Sequence, residues 1–514
     1  MSEIQGQLSN QCKANKQITD GNYDLSLAVK CINGTFVGKK TENVIAYKGI
    51  PFVGKQPVGE LRWKAPADCV PDDGVYEAYY FGKSPCMHED FTGIEATLDN
   101  QGEDCLYLNL WKADDASAGK KPVMVWIHGG AFETGASGFS LFDCHNFVKE
   151  NPDVIVVTVS YRLALFGFLH LSHLPDGKDY PDAQNLGLLD QIKGLKWIHD
   201  NIASFGGDPD NVTIWGESAG AGSVTMLPLI KGSQAYFKRV IAQSGSPTLT
   251  RSKEQAIACT NELLEILGCK TVADLQKVDA KKVAEASGAL RLRIVPERDG
   301  LHLPLDPYEA YANGAAKDIA FLQGCNKSEF DWFVAVFGED DFKAWAADRL
   351  AKNLAPLTKE EKTLVDSFCN DVKGESYKPY SLLMEQIWFN VPVLTMSENQ
   401  TKGGGKSYTY FLTRTQHGIE LPVVFNHPEM NDEPLDETFS KTMRRLWVQF
   451  AKTGNPSLSA DASPDGKTKE WPLYDSENKQ VMVLDESDIH PEKESGLKIV
   501  DWERTYFLTK YYCF

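Results

Sequence analysis

A serine set between two glycines, Gly216-Glu217-Ser218-Ala219-Gly220, is the segment of this chain best equipped for covalent chemistry. It follows the strand-like Val212-Thr213-Ile214-Trp215 and opens into the small-residue run Ala221-Gly222-Ser223. A sharp strand-to-helix turn leaves no room for side chains beside a nucleophile, which accounts for glycine at 216 and 220. Ser218 is thereby presented above a sheet at a helix N-terminus, where the backbone dipole favours developing negative charge. Attack by its hydroxyl on a carbonyl carbon creates an oxyanion that needs backbone N–H donors at close range. The run Trp126-Ile127-His128-Gly129-Gly130-Ala131-Phe132 ends another strand-like segment, and its glycines let the main chain approach without Cβ obstruction. Gly130, Ala131 and Ala219 are the expected oxyanion donors, with Gly129 supporting the turn.

The serine needs a base and the base an orienting acid, and behind a turn of this type the chain order is serine, acid, histidine. Of ten histidines, His302, His417, His427 and His490 follow Ser218. His417, in Gln416-His417-Gly418-Ile419-Glu420-Leu421, follows the strand-like residues 408–412 by a short loop, and His427-Pro428 is its nearest competitor. Spacing alone leaves both open. Glu329, in Gly324-Cys325-Asn326-Lys327-Ser328-Glu329, follows the strand-like residues 319–322, and is one of many carboxylates able to fill the third place. Glu217, beside the nucleophile, is expected to tune the local field. Such a set calls for no metal and no organic cofactor.

The elements that would position these residues are legible as short runs rich in β-branched and aromatic residues at 123–127, 154–159, 212–215, 240–243, 319–322 and 408–412. Helical patterns lie between them, at 187–202, 220–227, 253–267 and 437–452. Strand and helix in alternation predict an α/β fold with a mostly parallel central sheet flanked by helices. Residues 250–400 are richer in charged amphipathic helices, such as 271–288 and 341–371, and read as helical insertions roofing the site. The Gly403-Gly404-Gly405 run is a turn before a strand and lacks the spacing of a phosphate loop.

Composition narrows the function classes. Over 514 residues, 53 Lys+Arg against 71 Asp+Glu leave a net charge of −18. A surface this acidic, without a basic run, repels phosphate backbones and anionic headgroups, which argues against nucleic-acid and membrane partners and for a small-molecule substrate. No apolar run reaches the roughly 18 residues of a membrane span. The polar N-terminus lacks the apolar core of a secretory signal, so a cytoplasmic location is expected, with secretion the alternative if a leader has been removed. Eleven dispersed cysteines are an odd number, and neither Cys86-Met87-His88-Glu89-Asp90 nor Cys144-His145 has a distant partner that would make it a metal site. Oligomeric state leaves no trace in the sequence.

With these residues in view, the chain closely resembles the type-B carboxylesterase and cholinesterase family of α/β-hydrolases, from about residue 25 to the C-terminus. The resemblance is carried by Tyr47-Lys48-Gly49-Ile50-Pro51-Phe52, Glu103-Asp104-Cys105-Leu106-Tyr107-Leu108-Asn109, Ser160-Tyr161-Arg162, Asn185-Leu186-Gly187-Leu188-Leu189-Asp190-Gln191 and Phe450-Ala451-Lys452-Thr453-Gly454-Asn455-Pro456. It implies a single α/β-hydrolase domain over 1–514 with insertions at about 250–400. It also implies a serine carboxylesterase acting on esters through an acyl-enzyme, with Ser218 the nucleophile, Glu329 the acid and His417 the base. His417 matches the family's His-Gly-x-Glu-Leu pattern, which decides against His427.

Departures from the family pattern bear on the substrate. Cholinesterases carry a tryptophan that stacks on the quaternary ammonium in the loop corresponding to residues 86–105, and this segment has none; the matching position falls near Glu95. Trp332 and Phe333 fall where the family places aromatics lining the substrate pocket, although both also suit a core. The family's first disulfide would join Cys86 to Cys105, which in a reducing compartment are thiols that pack together. Two other outcomes stay open at this stage. One is a non-catalytic cholinesterase-like binding or adhesion protein, whose signature is a lost serine or histidine; the other is an esterase specialised for a bulky natural ester, lactone or carbamate.

Overall fold

The β-branched runs line up side by side because each is apolar on both faces and can only be buried between two layers of helices. A computed structural model of the chain describes residues 14–88, 100–115, 119–430 and 435–510. The strands in chain order are β1 (Ala28–Cys31), β2 (Asn33–Val37), β3 (Lys39–Thr41), β4 (Val44–Pro51), β5 (Asp72–Glu77), β6 (Tyr107–Ala113) and β7 (Lys121–Ile127). They continue with β8 (Ile155–Val159), β9 (Gly207–Glu217), β10 (Arg239–Gln243), β11 (Ala320–Ser328), β12 (Lys406–Gln416), β13 (Gln480–Leu484) and β14 (Ile489–Lys493).

Eleven of them form one sheet in the order β14-β13-β12-β11-β10-β9-β7-β8-β6-β4-β3, while β1, β2 and β5 make a small separate sheet. From β13 to β8 all neighbours are parallel, and antiparallel pairs close both margins. The large sheet is therefore parallel through its middle and mixed at its edges.

Alternation along the central strands feeds two cores. Val123, Val125 and Ile127 of β7 and Val212 and Ile214 of β9 face one layer, while Met124, Trp126 and Trp215 face the other. On that second face Trp126, Trp215 and Phe425 meet with ring centroids 4.9–5.1 Å apart. Helix Glu437–Thr453 covers them with buried Phe439, Met443, Leu446, Trp447 and Phe450, the stripe that its 3.6-residue period predicts.

The predicted strands and helices are present, with two helical segments divided. Residues 271–288 form two helices, Val272–Leu275 and Ala280–Ser287, the second capped by the Asp279 side chain. Residues 341–371 fall into Glu339–Asn353 and Lys359–Asp371, separated at Pro356 and restarted by a Thr358/Glu361 capping box. A feature absent from the sequence reading is a π-helical turn, Gln386–Asn390, between helices Lys378–Glu385 and Val391–Lys402. Among the described residues no helix is long and apolar enough to cross a membrane.

One buried ion pair ties the loop after β8 to helix Leu186–Asn201. Arg162 donates from Nε and Nη2 to the two carboxylate oxygens of Asp190 at 2.8 and 2.7 Å, and its backbone N–H bonds the same carboxylate at 3.0 Å. Asp190 is fully buried. Removing the cation alone strands a buried charge, at a cost of about 3–5 kcal/mol. Arg162→Leu is expected to lower the thermal unfolding midpoint by several degrees, and the double variant Arg162→Leu/Asp190→Leu to recover part of the loss. A single variant as stable as the parent would show that the pair does not hold the layers together.

Candidate active site

Parallel strands deliver their C-terminal ends to one edge of the sheet, and the serine, the glycine turn, the acid and the histidine each lie just beyond such an end. Ser218 follows β9, the Gly129–Ala131 turn follows β7, Glu329 follows β11 and His417 follows β12. The ends of β9 and β10 are level, Glu217 being in register with Gln243, while β11 runs past Gln243's partner Gly324 to Ser328.

Ser218 sits in a left-handed conformation, φ 57° and ψ −122°, between β9 and helix Ala219–Met226. The glycines around it are sterically required. A Cβ on Gly220 would lie 2.1 Å from the Ile127 carbonyl oxygen, and one on Gly216 2.5 Å from the Gly220 carbonyl carbon. The turn after β7 is equally strained: Gly130, Ala131 and Phe132 have φ of 103°, 57° and 63°. It is closed by the N–H groups of Glu133 and Thr134 on the Gly130 carbonyl, each at 2.9 Å. This turn packs against the nucleophile, since a Cβ on Gly129 would approach Ser218 Cβ to 3.2 Å.

The three residues meet. Ser218 Oγ lies 2.8 Å from His417 Nε2, and His417 Nδ1 lies 2.8 Å from Glu329 Oε2. The second oxygen of Glu329 accepts from Ser244 Oγ at 2.7 Å and from the Asn326 backbone N–H at 2.6 Å. Asn326 also donates from Nδ2 to the Gln416 carbonyl at 2.9 Å and to Glu420 Oε2 at 2.9 Å, so one side chain fixes the loop that carries His417. His427 is turned elsewhere, with Nε2 2.9 Å from the Asp143 carbonyl and Nδ1 3.0 Å from Glu429. Phe330 occupies the position after the acid and stacks on Phe333 at 4.8 Å without disturbing Glu329.

Two further carboxylates surround the imidazole. Glu217 Oε1 is 3.2 Å from His417 Nε2, the nitrogen that also faces Ser218. Burial raises Glu217 above the ordinary carboxylate range, with Glu420 and Glu329 adding to the effect. Burial likewise raises Glu420, which Glu329 reinforces. For His417 burial acts to lower the pKa, but Glu217 and Glu329 outweigh it, and the imidazole is pushed up.

Phe333 and Trp332 stand beside the base, with centroids 5.5 and 6.5 Å from the His417 ring. Phe333 is buried and Trp332 half-buried, and the two meet edge to face at 5.0 Å. Phe389, from the π-helical turn, approaches His417 more closely at 4.8 Å. Periodicity could not have found it, because the π turn displaces the helix face. Glu420 stands three residues after His417 within the quoted pattern, and Glu133 directly follows the glycine turn; neither was assigned a role from sequence. Glu133 is buried and accepts the Leu292 N–H at 2.6 Å.

Cys86 and Cys105 are free, buried thiols lining one small cavity with Arg62 and Glu103. Burial pushes Cys86 up to about 12 and raises Cys105 well above the ordinary thiol range. Glu95, Glu89 and Asp90 lie outside the described residues. No group of three or more His, Cys, Asp or Glu side chains among the described residues is placed to hold a metal ion.

A serine in a strained turn at the end of a central parallel strand, with its histidine and acid on later strand ends, defines an α/β-hydrolase. The comparisons agree: the Carboxylesterase family model matches residues 25–498, and the chain belongs to that family. It is 33% identical to the para-nitrobenzyl esterase of Bacillus subtilis (strain 168), covering 91% of this chain and 97% of that protein. It is 29% identical to acetylcholinesterase of Electrophorus electricus, covering 89% and 83%. The solved carboxylesterase EST55 of Geobacillus stearothermophilus superposes with a TM-score of 0.80 at 32% identity, covering 94% of this chain and 99% of that one.

Turnover that uses His417 as base requires the neutral imidazole. Since its pKa is raised, the neutral fraction, and with it kcat/KM, is expected to climb with pH above the free-imidazole range of about 6.5. Glu217→Gln removes one of the carboxylates holding the proton on His417, so this limb is expected to move to lower pH by roughly one unit. A pH profile of kcat/KM for both proteins checks it; an unmoved limb would show that Glu217 does not set the base.

Proposed function

We propose that this member of the carboxylesterase family hydrolyses carboxylic esters of small molecules through an acyl-enzyme on Ser218. The observation that carries the reading is the unbroken hydrogen-bond chain from Ser218 Oγ through His417 to Glu329, with both links at 2.8 Å. His417 Nε2 takes the hydroxyl proton as Oγ attacks the ester carbonyl, and Glu329 holds the tautomer with Nδ1 protonated and stabilises the imidazolium. The carbonyl oxygen turns toward the amides of Gly130, Ala131 and Ala219 as it gains charge. Losing one such donor costs about 3–4 kcal/mol of transition-state stabilisation.

Collapse of the tetrahedral intermediate expels the alcohol, which takes the proton from His417. Water then repeats the sequence on the acyl-enzyme and regenerates the serine. Glu217 Oε1, which has no hydrogen-bond partner among the described residues, faces Nε2 and is placed to stabilise the proton while it resides there. Trp332, Phe333 and Phe389 form an apolar aromatic wall beside the base for the substrate's organic groups. No step in this sequence calls for a metal or an organic cofactor.

Chromogenic esters of increasing acyl length, run beside the variants, test the proposal. Ser218→Ala and His417→Ala are each expected to lower kcat by on the order of 10⁶, and Glu329→Gln by roughly 10⁴. Equal, background rates in the parent and in Ser218→Ala would overturn it.

A further inference from the structure

A second serine in this molecule faces a histidine that is itself held by a buried glutamate. Ser172 Oγ lies 3.1 Å from His170 Nε2, and His170 Nδ1 lies 2.7 Å from Glu297 Oε2. The histidine and glutamate side chains are only 3% and 1% exposed, whereas Ser172 stands on the surface in the turn closed by Leu174 N–H on the Leu171 carbonyl. The ring nitrogens are used in the same order as at Ser218. A carboxylate on Nδ1 fixes the tautomer that leaves the Nε2 lone pair facing the hydroxyl.

Both buried partners are fixed from several sides. Glu297 exchanges two hydrogen bonds with Asn185, from its N–H to Oδ1 and from Nδ2 to its carbonyl, each at 2.9 Å. The His170 carbonyl accepts Thr260 Oγ1 at 2.8 Å, and the preceding Leu169 N–H bonds the Ala183 carbonyl at 3.1 Å. The other oxygen of Glu297, Oε1, is buried with no hydrogen-bond partner among the described residues. Glu297 Oε2 thus holds the imidazole, and the buried Arg251 guanidinium also feels this carboxylate.

The surroundings differ from those of Ser218 in one respect. Residues 168–174, Phe168-Leu169-His170-Leu171-Ser172-His173-Leu174, contain no glycine, and although Gly177 packs closely on this turn, where a Cβ would lie 3.2 Å from Ser172 Cα, its N–H is taken by the Leu174 carbonyl at 2.9 Å and is not open to an oxyanion. The arrangement offers the hydroxyl a base that a buried carboxylate holds in place.

We propose that Ser172 is a second activated serine, modified stoichiometrically by reactive phosphoryl electrophiles of the fluorophosphonate class. Ser172 Oγ forms a bond to phosphorus as the P–F bond breaks. Fluoride departs with the bonding electrons, the hydroxyl proton passes to His170 Nε2, and Glu297 stabilises the imidazolium. The adduct remains on the serine.

The experiment uses the full chain as Ser218→Ala, so that the outcome does not depend on the reading of the main site. The protein is treated with a fluorophosphonate, digested, and adduct formation at each serine is followed by peptide mass spectrometry. Ser459 and Ser487 serve as controls: both are exposed, and Ser487 bonds the Asp485 carboxylate at 2.5 Å with no imidazole between. Ser172 is expected to react on the order of 10²-fold faster than either, the scale of general-base assistance. Glu297→Gln is expected to remove most of that advantage. Labelling of Ser172 no faster than the controls overturns the proposal. Fast labelling that persists in a Glu297→Gln variant of unchanged thermal midpoint overturns it too, because mere accessibility would then suffice. If that variant fails to fold, the comparison among serines decides alone.

Discussion

The left-handed backbone at Ser218 is the constraint on which the rest of this molecule depends. A residue with a Cβ at positive φ costs about 1–3 kcal/mol and persists only where its surroundings over-determine it. Here they do so from the adjacent strand β10 and, through it, from β11. The Ser218 N–H bonds the Gln243 carbonyl at 2.9 Å, and the Ser244 N–H in turn bonds Gly324 at 2.8 Å. Gly216, Gly220 and Gly245 leave space for the elbow on its other sides; a Cβ on Gly245 would reach the Ser218 carbonyl oxygen at 2.4 Å. A central parallel sheet is thus the means of holding one hydroxyl in a conformation that an isolated chain would leave at once.

Around that hydroxyl the protein concentrates buried carboxyl groups. Glu217, Glu329 and Glu420 are all buried about a single imidazole, although burial disfavours each charge. Asn326 and Gln243 donate to Glu420, at 2.9 and 3.1 Å, and Ser244 and the Asn326 N–H to Glu329. Trp447 donates to the other end of Gln243 at 3.0 Å, so the covering helix reaches into the same network. These donors keep the carboxylates oriented, and their field favours a positive charge on His417. In the mechanism proposed above, that preference works against the resting base and for the imidazolium.

Much of this was legible before any coordinates. The central strands are continuous apolar runs, and their C-terminal ends carry Ser218, Gly130, Glu329 and His417 in the expected chain order. Position alone did not choose between His417 and His427, or single out Glu329; those choices rested on the family resemblance. The small sheet of β1, β2 and β5 was missed because its strands, such as Asp72-Asp73-Gly74-Val75-Tyr76-Glu77, are polar and mostly exposed or half-buried. Phe389 was missed because a π turn has no apolar periodicity of its own. Ser244 and Asn326 act through hydrogen bonds between strand ends, and such cross-strand partnerships have no local sequence signal.

The order of the strands also sets the order in which the site can come into being during synthesis. Ser218 and His417 are separated by 199 residues, and β12, which carries the histidine, pairs with β11 only after the intervening helices have been made. At about 5–20 residues per second, a growing chain holds its serine for roughly 10–40 s before the base exists. During that interval the hydroxyl is an ordinary alcohol. If Ser218 acts as proposed above, topology alone keeps it unassisted until residue 417 has been made, by which time residues 250–400 already exist.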